Sequence, residues 1–454
     1  MSAAGPSNYS FFQIVKKKLE TYQKGQGNGR TSTREVVDKK VRIEGKILSF
    51  DYYESVYSPM ITAKLIEEDT GGTVADDKDG FAGTLKDALP IDGGEEVSFK
   101  INTRYGTLKF PNFRKNHMVI TGSPSNIDLP QKQTAYIPMI SESSIISSNN
   151  PVNTIYPEAP ISEVVQKILS DKKGLNIPRS KQFIEKTSNN DKIDGNNEPP
   201  LDLILELCKK SIPENGKDPG YFFFETSRGF HFRSINGLIT EGIEKFDSTS
   251  YADEHTYSYF GALESNLDND ENDFKVLLPP VVKKDQDLLQ SIRNGQYIVR
   301  ICTTNTLTQE YKEEILNLLN DTSLGNSETI ELDTKNFSKS YTYVINPGST
   351  SSGVSKKVLN SPSVYEPRAI MRYGLLHAQL IEIQIPCNTR LQAGDVIKLK
   401  LENITQDNKL EKIYNERRSG FYLILHLCHH FDTDNSYTSL TLSRDTYGLY
   451  TSRK

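Results

Sequence analysis

Hydrophobic and polar residues alternate strictly in two regions of the chain. From about residue 40 to 125, Val41, Ile43 and Ile47 alternate with Arg42, Glu44 and Lys46. Ile61, Ala63 and Leu65 alternate with Thr62 and Lys64, and Val97, Phe99 and Ile101 with Ser98 and Lys100. A period of two puts successive side chains on opposite faces of a strand, one dry and one wet. Turn residues separate the runs, at Asp69-Thr70-Gly71-Gly72 and Asp92-Gly93-Gly94, so the region reads as an antiparallel barrel or sandwich. The same period returns over 370–448. There Ile381, Ile383 and Ile385 share a face, as do Ile397, Leu399 and Leu401, and Thr438, Leu440 and Leu442, with Asp434-Asn435 placed for a hairpin turn.

Between these regions the spacing turns helical. Pro160-Ile161-Ser162-Glu163 opens a helix with Ser162 as its expected cap and Val164, Val165, Ile168 and Leu169 as its apolar stripe. The pattern dissolves over 181–200, where Ser188-Asn189-Asn190 and Gly195-Asn196-Asn197 predict a loop. Pro199-Pro200 leads a second helix with Leu201, Ile204, Leu205 and Cys208 on one side. Tyr221–Thr226 and Phe230–Ile235 flank Ser227-Arg228-Gly229 as a hairpin. Tyr311, Ile315, Leu318 and Leu319 predict a helix over 308–320 capped by Thr308. At the start, Phe11, Phe12, Ile14, Val15 and Leu19 suggest a short docking helix, with Gly25–Arg30 as a flexible link. The acidic, Asn-rich stretch 264–273 reads as a solvated loop, and 347–363, rich in Pro, Gly, Ser and Thr, as a linker. The expected organisation is an N-terminal arm (1–40), a first β-barrel domain (41–130), and a helix and aromatic-hairpin α+β domain (131–245). A mixed α/β segment with acidic and Ser/Gly-rich loops (246–365) and a second β-barrel domain with a C-terminal tail (366–454) complete it. The fold class is α+β and β-rich.

Composition narrows the function. At 454 residues the chain is long enough for three or four domains. Hydrophobic residues at 36% permit buried cores, and 23 Tyr and 19 Phe favour strands. A net charge of −5 lacks the basic surplus of a dedicated nucleic-acid binder, though it permits passive contact with DNA. Cys208, Cys302, Cys387 and Cys428 lie far apart, unlike metal-ligand pairs or a small disulfide framework, so reduced thiols and folding in a cytoplasm are expected. No apolar run reaches the roughly 20 residues of a membrane span, and no signal-peptide pattern is visible.

The screen for chemistry finds one dense cluster of metal-ligand types: His426, Cys428, His429 and His430. On a strand, His426, Cys428 and His430 would share a face of the kind that binds zinc, with Asp432 or Asp434 folding back as a fourth ligand. Ligands two apart splay along a strand, and the aliphatic neighbours favour a packed structural strand. Glu67-Glu68-Asp69 and Asp268-Asn269-Asp270-Glu271 are of the calcium-binding type, but the second lacks the glycine turn and terminal acid of a helix-loop-helix site; both read as solvated loops. No nucleophile elbow, phosphate loop or His-Glu-x-x-His motif occurs. Tyr221–Phe224, with Phe230, Phe232 and Arg233, has the composition of a base-stacking platform, but consecutive aromatics bury both faces of a strand, favouring core and interface. No catalytic, cofactor or metal residue is assigned, and no cofactor is expected.

Several segments, taken in order, resemble the central hub family of myovirus tail baseplates. They are Pro200–Leu207, Tyr221–Ile235, Gly295-Gln296-Tyr297, Leu391-Gln392-Ala393-Gly394-Asp395-Val396-Ile397, Ser419–Ile424 and Thr438–Gly448. Together they span about 200–448, and the N-terminal 150 residues match only in general β character. The resemblance implies two tube-like antiparallel β-barrel domains bracketing a mixed α/β middle region. It also implies a non-enzymatic homotrimer whose six barrels ring a DNA ejection channel. Such a ring joins a threefold spike to a sixfold tail tube. The implied partners are further copies of the chain, the trimeric spike protein, tail tube or tube-initiator proteins and baseplate wedge proteins. Genomic DNA passes without specific binding, and the expected location is the virion tail baseplate, after synthesis in the host bacterial cytoplasm. Two alternatives stand beside this reading: a cell-wall-degrading or zinc-dependent hydrolase of a tail tip, and a spike-type hub of a secretion system.

Overall fold

The computed structural model describes residues 7–23, 31–70, 74–75, 82–85, 89–110, 118–129, 132–214, 219–259, 274–284, 288–295, 298–305, 309–317, 339–345, 362–377, 379–401, 415 and 418–445. Among the described residues, eleven strands lie in the first third of the chain. They are β1 (Asn8–Gln23), β2 (Thr31–Arg42), β3 (Ile47–Ser55), β4 (Thr62–Asp69), β5 (Val74–Ala75), β6 (Ala82–Gly83), β7 (Glu96–Thr103), β8 (Gly106–Lys109), β9 (Met118–Ile120), β10 (Ser125–Leu129) and β11 (Lys132–Ser141). The middle holds α1 (Glu142–Asn149), β12 (Ile155–Pro160), α2 (Ile161–Ser170), β13 (Gln182–Ile184), β14 (Asn190–Asp194), α3 (Pro200–Lys210), β15 (Tyr221–Thr226), β16 (Gly229–Ser234), α4 (Ile235–Glu244) and α5 (Thr249–His255). Then follow β17 (Thr256–Tyr259), β18 (Val281–Lys284), α6 (Leu288–Arg293), β19 (Ile298–Asn305), β20 (Tyr311–Asn317), β21 (Lys339–Ile345), α7 (Pro362–Leu376), β22 (Gln379–Pro386), β23 (Val396–Leu401), β24 (Gly420–Asp432) and β25 (Tyr437–Arg444).

Strands from both alternating regions belong to one mostly antiparallel sheet. Its main path runs β18-β22-β25-β24-β3-β4-β11-β9-β7-β1-β2, and β8, β10, β17 and β23 pair alongside. Among the described residues no ladder joins the two ends of this path. The period-two residues face inward as their spacing demands. Phe12, Phe50, Tyr52, Ile61, Ala63, Leu65, Val97, Phe99 and Ile101 build a first core, in which Phe50 sits 4.9 Å from Phe99 and 5.4 Å from Phe12 between ring centroids. Ile381, Ile383, Ile385, Ile397, Leu399, Leu440 and Leu442 build a second core with Tyr257 and Tyr422. The two cores are separate apolar clusters that share one strand: β24 gives Phe431 to the first and Tyr422, Ile424 and Leu427 to the second.

Both modules curl. The first bends until the start of β1 returns to the end of β24, where Ser7 N donates to Asp432 O at 3.3 Å and Tyr9 Oη to Phe431 O at 2.9 Å. In the second, residues 274–277 bridge β17 to β22. Ser258 N donates to Phe274 O, Val276 N to Ser258 O and Leu277 N to Gln384 O at 2.7–3.0 Å.

Among the described residues the middle supplies two three-stranded units besides the pair β12–β14. The hairpin β15–β16, with β13 parallel to β16, lies between two apolar clusters. Tyr221 and Phe223 face α2 and α3, while Phe222 and Phe224 face α4, Leu376, Val396 and Leu423. Both faces of the aromatic hairpin are therefore buried within the chain itself. The other unit sets β19 between β20 (antiparallel) and β21 (parallel), and Ile298, Val299 and Ile301 cluster with Met371 and Leu375 of α7.

Several local expectations are corrected. Phe11–Leu19 forms strand rather than helix, because Phe12 and Ile14 turn inward while β1 pairs with β2 and β7. Residues 311–317 form β20 rather than a helix, held by β19, and Thr308 lies outside the described residues. Ser162 does not cap α2. The helix starts one residue earlier, and Ser162 instead exchanges hydrogen bonds with Thr187 (Ser162 N to Thr187 Oγ1 3.0 Å, Thr187 N to Ser162 Oγ 3.2 Å). The loop expected over 181–200 contains β13 and β14. Gly25–Arg30, the acidic stretch 264–273 and most of the linker at 347–363 lie outside the described residues, and positions 362–363 begin α7.

Candidate functional site at the seam of the two modules

The seam is the ladder between β3 and β24, which pairs His426 with Ser55 and runs to Asp432 with Ser49. β24 serves both modules: Leu423 pairs with Val396 of β23, and a register irregularity after Ile424 turns the rest of the strand onto β3. Such an irregularity bends a strand and re-aims its side chains. β25 runs along the other side of β24, from Leu423↔Ser443 to His430↔Tyr437.

On the outer face of the seam, His426 is exposed and Cys428 and His430 are half-buried. His430 Nδ1 lies 2.5 Å from Asp51 Oδ1, and its ring stacks on Tyr437 at 4.6 Å. His426 packs against the Tyr57 ring at 5.6 Å. Burial pushes the Cys428 thiol up to about 12, which disfavours the thiolate at neutral pH. His429 points inward, is pushed down to about 3 by burial and bonds Thr438 Oγ1 at 2.9 Å. Asp432 Oδ1 is engaged within its own turn, by Thr433 Oγ1 and Asp434 N. Among the described residues no group of three or more His, Cys, Asp or Glu is arranged to hold a metal ion.

The acids of β4 are also not solvated as expected. Glu67 and Asp69 continue the inward register of Ala63 and Leu65 and are buried, whereas Glu68 points out to pair with Lys132. Lys46 Nζ meets Asp69 Oδ2 at 2.6 Å, occupying the place a cation would take, and burial followed by the Asp69 charge raises Glu67 to about 7. Asp268–Glu271 lies outside the described residues.

Beneath the seam lies a polar junction that sequence reasoning missed. Glu54, in register with Phe50 and Tyr52 on the inner face of β3, is buried. Its Oε1 accepts from Ser227 N of the hairpin turn (2.7 Å) and Tyr52 Oη (2.9 Å), and its Oε2 from Ala393 N between β22 and β23 (3.1 Å). Glu225 of β15, also buried, accepts from Ile61 N (3.4 Å) and from Ser143 Oγ (3.2 and 3.3 Å). Gln392 bonds Thr226 Oγ1 at 3.0 Å and also Ser227 Oγ. Asp395 accepts from Gln392 N at 3.0 Å, with Arg228 3.6 Å away. One usable signal was in the sequence: an acid in phase with a run of inward apolar residues must be paired or hydrogen-bonded once folded.

These elements define a β-rich α+β protein organised around one large antiparallel sheet. Its solved structural neighbours include a tail protein from Neisseria meningitidis (10% identity, TM-score 0.49, covering 96% of this chain and 98% of that one). They also include a 43 kDa tail protein of prophage MuSo2 from Shewanella oneidensis (8%, 0.48, 96% and 98%). A third is an Escherichia coli component of the type VI secretion system, described as structurally similar to bacteriophage T4 tail proteins (11%, 0.41, 96% and 79%). No protein-family model matches the sequence, and no curated protein matches it. Among the described residues no helix is long and apolar enough to cross a membrane.

Proposed function

We propose that this chain is a structural component of a contractile bacteriophage tail, the central hub of its baseplate. Three copies close a ring, each giving two tube-like β-barrels. The six barrels mate with the tail tube, the threefold symmetry holds the spike, and genomic DNA leaves through the middle. The observation that carries this reading is a pair of curled strand modules, each with its own core, fused edge to edge through the shared strand β24. The return of β1 to Phe431 and Asp432, and the bridge from β17 to β22 through residues 274–277, support reading each module as a barrel wall. The ordered segments between 200 and 448 that resemble the hub family add support from the sequence.

The role is structural rather than catalytic. Supporting this reading, His231 and His429 are held neutral by burial, and the Cys387 and Cys428 thiols are raised to about 12. Light scattering and electron microscopy on the purified full chain test the proposal. The expected particle has three times the 51.2 kDa chain mass and shows six lobes around a hole. A monomer, both alone and mixed with a trimeric spike protein, overturns it.

A further inference from the structure

The hairpin of β1 and β2 outgrows the sheet it belongs to. β1 pairs with β7 only from Asn8 to Val15, yet its ladder with β2 runs on to Gln23↔Thr31. Beyond Val15 the two strands therefore form a ribbon with no third strand among the described residues. At about 3.3 Å per residue, its β1 half from Lys16 to Gln23 reaches about 26 Å, enough to cross about five strands of a neighbouring sheet. The ribbon is also aimed where it leaves. The pairing jumps from Lys16↔Lys39 to Lys17↔Val37, so Asp38 is an extra residue on β2, and such a bulge bends and twists the strand that carries it. Lys16 ties the root to Pro90 O at 2.6 Å and to Asp92 at 3.0 Å, and Lys17 ties it to Glu96.

A two-stranded ribbon is marginally stable in water on its own and gains stability by covering a surface. Charge selects that surface. Lys16–Gln23 and β2 together carry seven Lys and Arg against three acids, so a chain of net charge −5 divides into +4 on these strands and −9 elsewhere. We propose that the ribbon is an assembly arm, which docks on the acidic body of a second copy of this chain. Two arms repel each other, which disfavours a twofold contact made by the same patch on both copies. Arm on body is instead a head-to-tail contact, and contacts of that kind close into rings. The inference rests on the hub reading and names the element that holds its three copies together. Val37, 54% exposed on the ribbon, adds an apolar contact to the basic ones of Lys18 and Lys40. A nucleic acid, the other polyanion that a basic ribbon grips, is disfavoured by the net negative chain behind the arm.

The test shortens the arm in the full chain. Residues 17–38 are replaced by Asn-Gly, a two-residue hairpin turn that joins Lys16 to its partner Lys39. All of β1 that pairs with β7 is kept, so the shortened chain should retain its circular dichroism and a cooperative melt. Light scattering is expected to find the wild type at three times 51.2 kDa and the shortened chain as a monomer. Lys18→Glu, Lys39→Glu and Lys40→Glu combined should raise the dissociation constant of the trimer at least about tenfold, with the difference shrinking in about 1 M salt. A shortened chain that is folded and still trimeric overturns the arm and leaves the hub reading standing. If that trimeric chain has also lost the wild type's affinity for a short DNA duplex, the ribbon is a nucleic-acid grip instead. A wild type that is monomeric, alone and with a trimeric spike protein, overturns the hub reading and the arm with it. Should the shortened chain fail to fold, an unchanged dissociation constant in the triple variant overturns the arm equally.

Discussion

Gly394 offers the sharpest test of how the hairpin is seated on the second module. It lies in the turn between β22 and β23 at φ +86°, and its N–H donates to Ile424 O at 2.9 Å. A Cβ there would stand 2.7 Å from Phe224 Cζ and 3.2 Å from its Cε2. The Phe224 ring is fully buried and stacked on His231 at 4.8 Å, so it cannot swing into solvent. Gly394→Ala therefore carries two costs. An L-residue in the left-handed region loses about 1–2 kcal/mol, and forcing a methyl into a packed ring loses about 1–3 kcal/mol more. The expected loss is about 2–5 kcal/mol, read as a lower urea midpoint at unchanged slope. Gly94 supplies the control: its φ is +92° but nothing lies within 4 Å of its would-be Cβ, so Gly94→Ala should show the backbone cost alone. Phe224→Leu in the Gly394→Ala background should recover part of the steric share, giving a coupling of about 1 kcal/mol or more. Equal losses at Gly94 and Gly394, or no coupling with Phe224, would refute the reasoning.

Phe50→Ala, which removes a ring packed among Phe12, Phe99 and Phe431, should cost about 3–5 kcal/mol in the first module, measured by denaturant unfolding. Asp445→Asn strips the partner from Arg372, 2% exposed and 2.9 Å away, and should cost about 3–5 kcal/mol, whereas replacing both residues by apolar ones of similar size should restore much of it. Ser234→Ala removes the cap that accepts Gly237 N at 2.9 Å and should lower the thermal midpoint by an amount equivalent to about 1 kcal/mol.

Much of the fold could be read from periodicity where one face of an element is dry and the other wet. Ala63–Leu65, Val97–Ile101 and Ile381–Ile385 lie on β4, β7 and β22, with Ile61 just before β4, and the stripes of Val164–Leu169 and Leu201–Cys208 on α2 and α3. The failures have a shared cause. In β1, Phe11 and Val15 add apolar residues to the outer face, where Arg42 covers Phe11 at 5.5 Å, so inward Phe12 and Ile14 are lost in a helix-like spacing. In β20 the spacing of Tyr311 and Ile315 also mimics a helix, yet both are exposed and pairing with β19 decides the conformation. The seam itself joins residues more than 370 positions apart, and nothing local to Ser49–Ser55 announces Asp432–His426 as its partner. The buried acids were legible only in retrospect, through phase: Glu54 follows Phe50 and Tyr52 at the inward spacing, and Glu67 follows Ala63 and Leu65.

The dual allegiance of β24 dictates a timetable for folding. Until the ribosome has delivered residues 420–432, β3 has β4 on one side and a bare edge on the other, and β23 lacks its antiparallel partner. An unpaired edge of this kind invites pairing with the wrong chain, and contacts of such long sequence separation form slowly. Maturation of both halves thus converges on one late event, and deletion of that single stretch should leave a nascent product that aggregates rather than half of a working molecule.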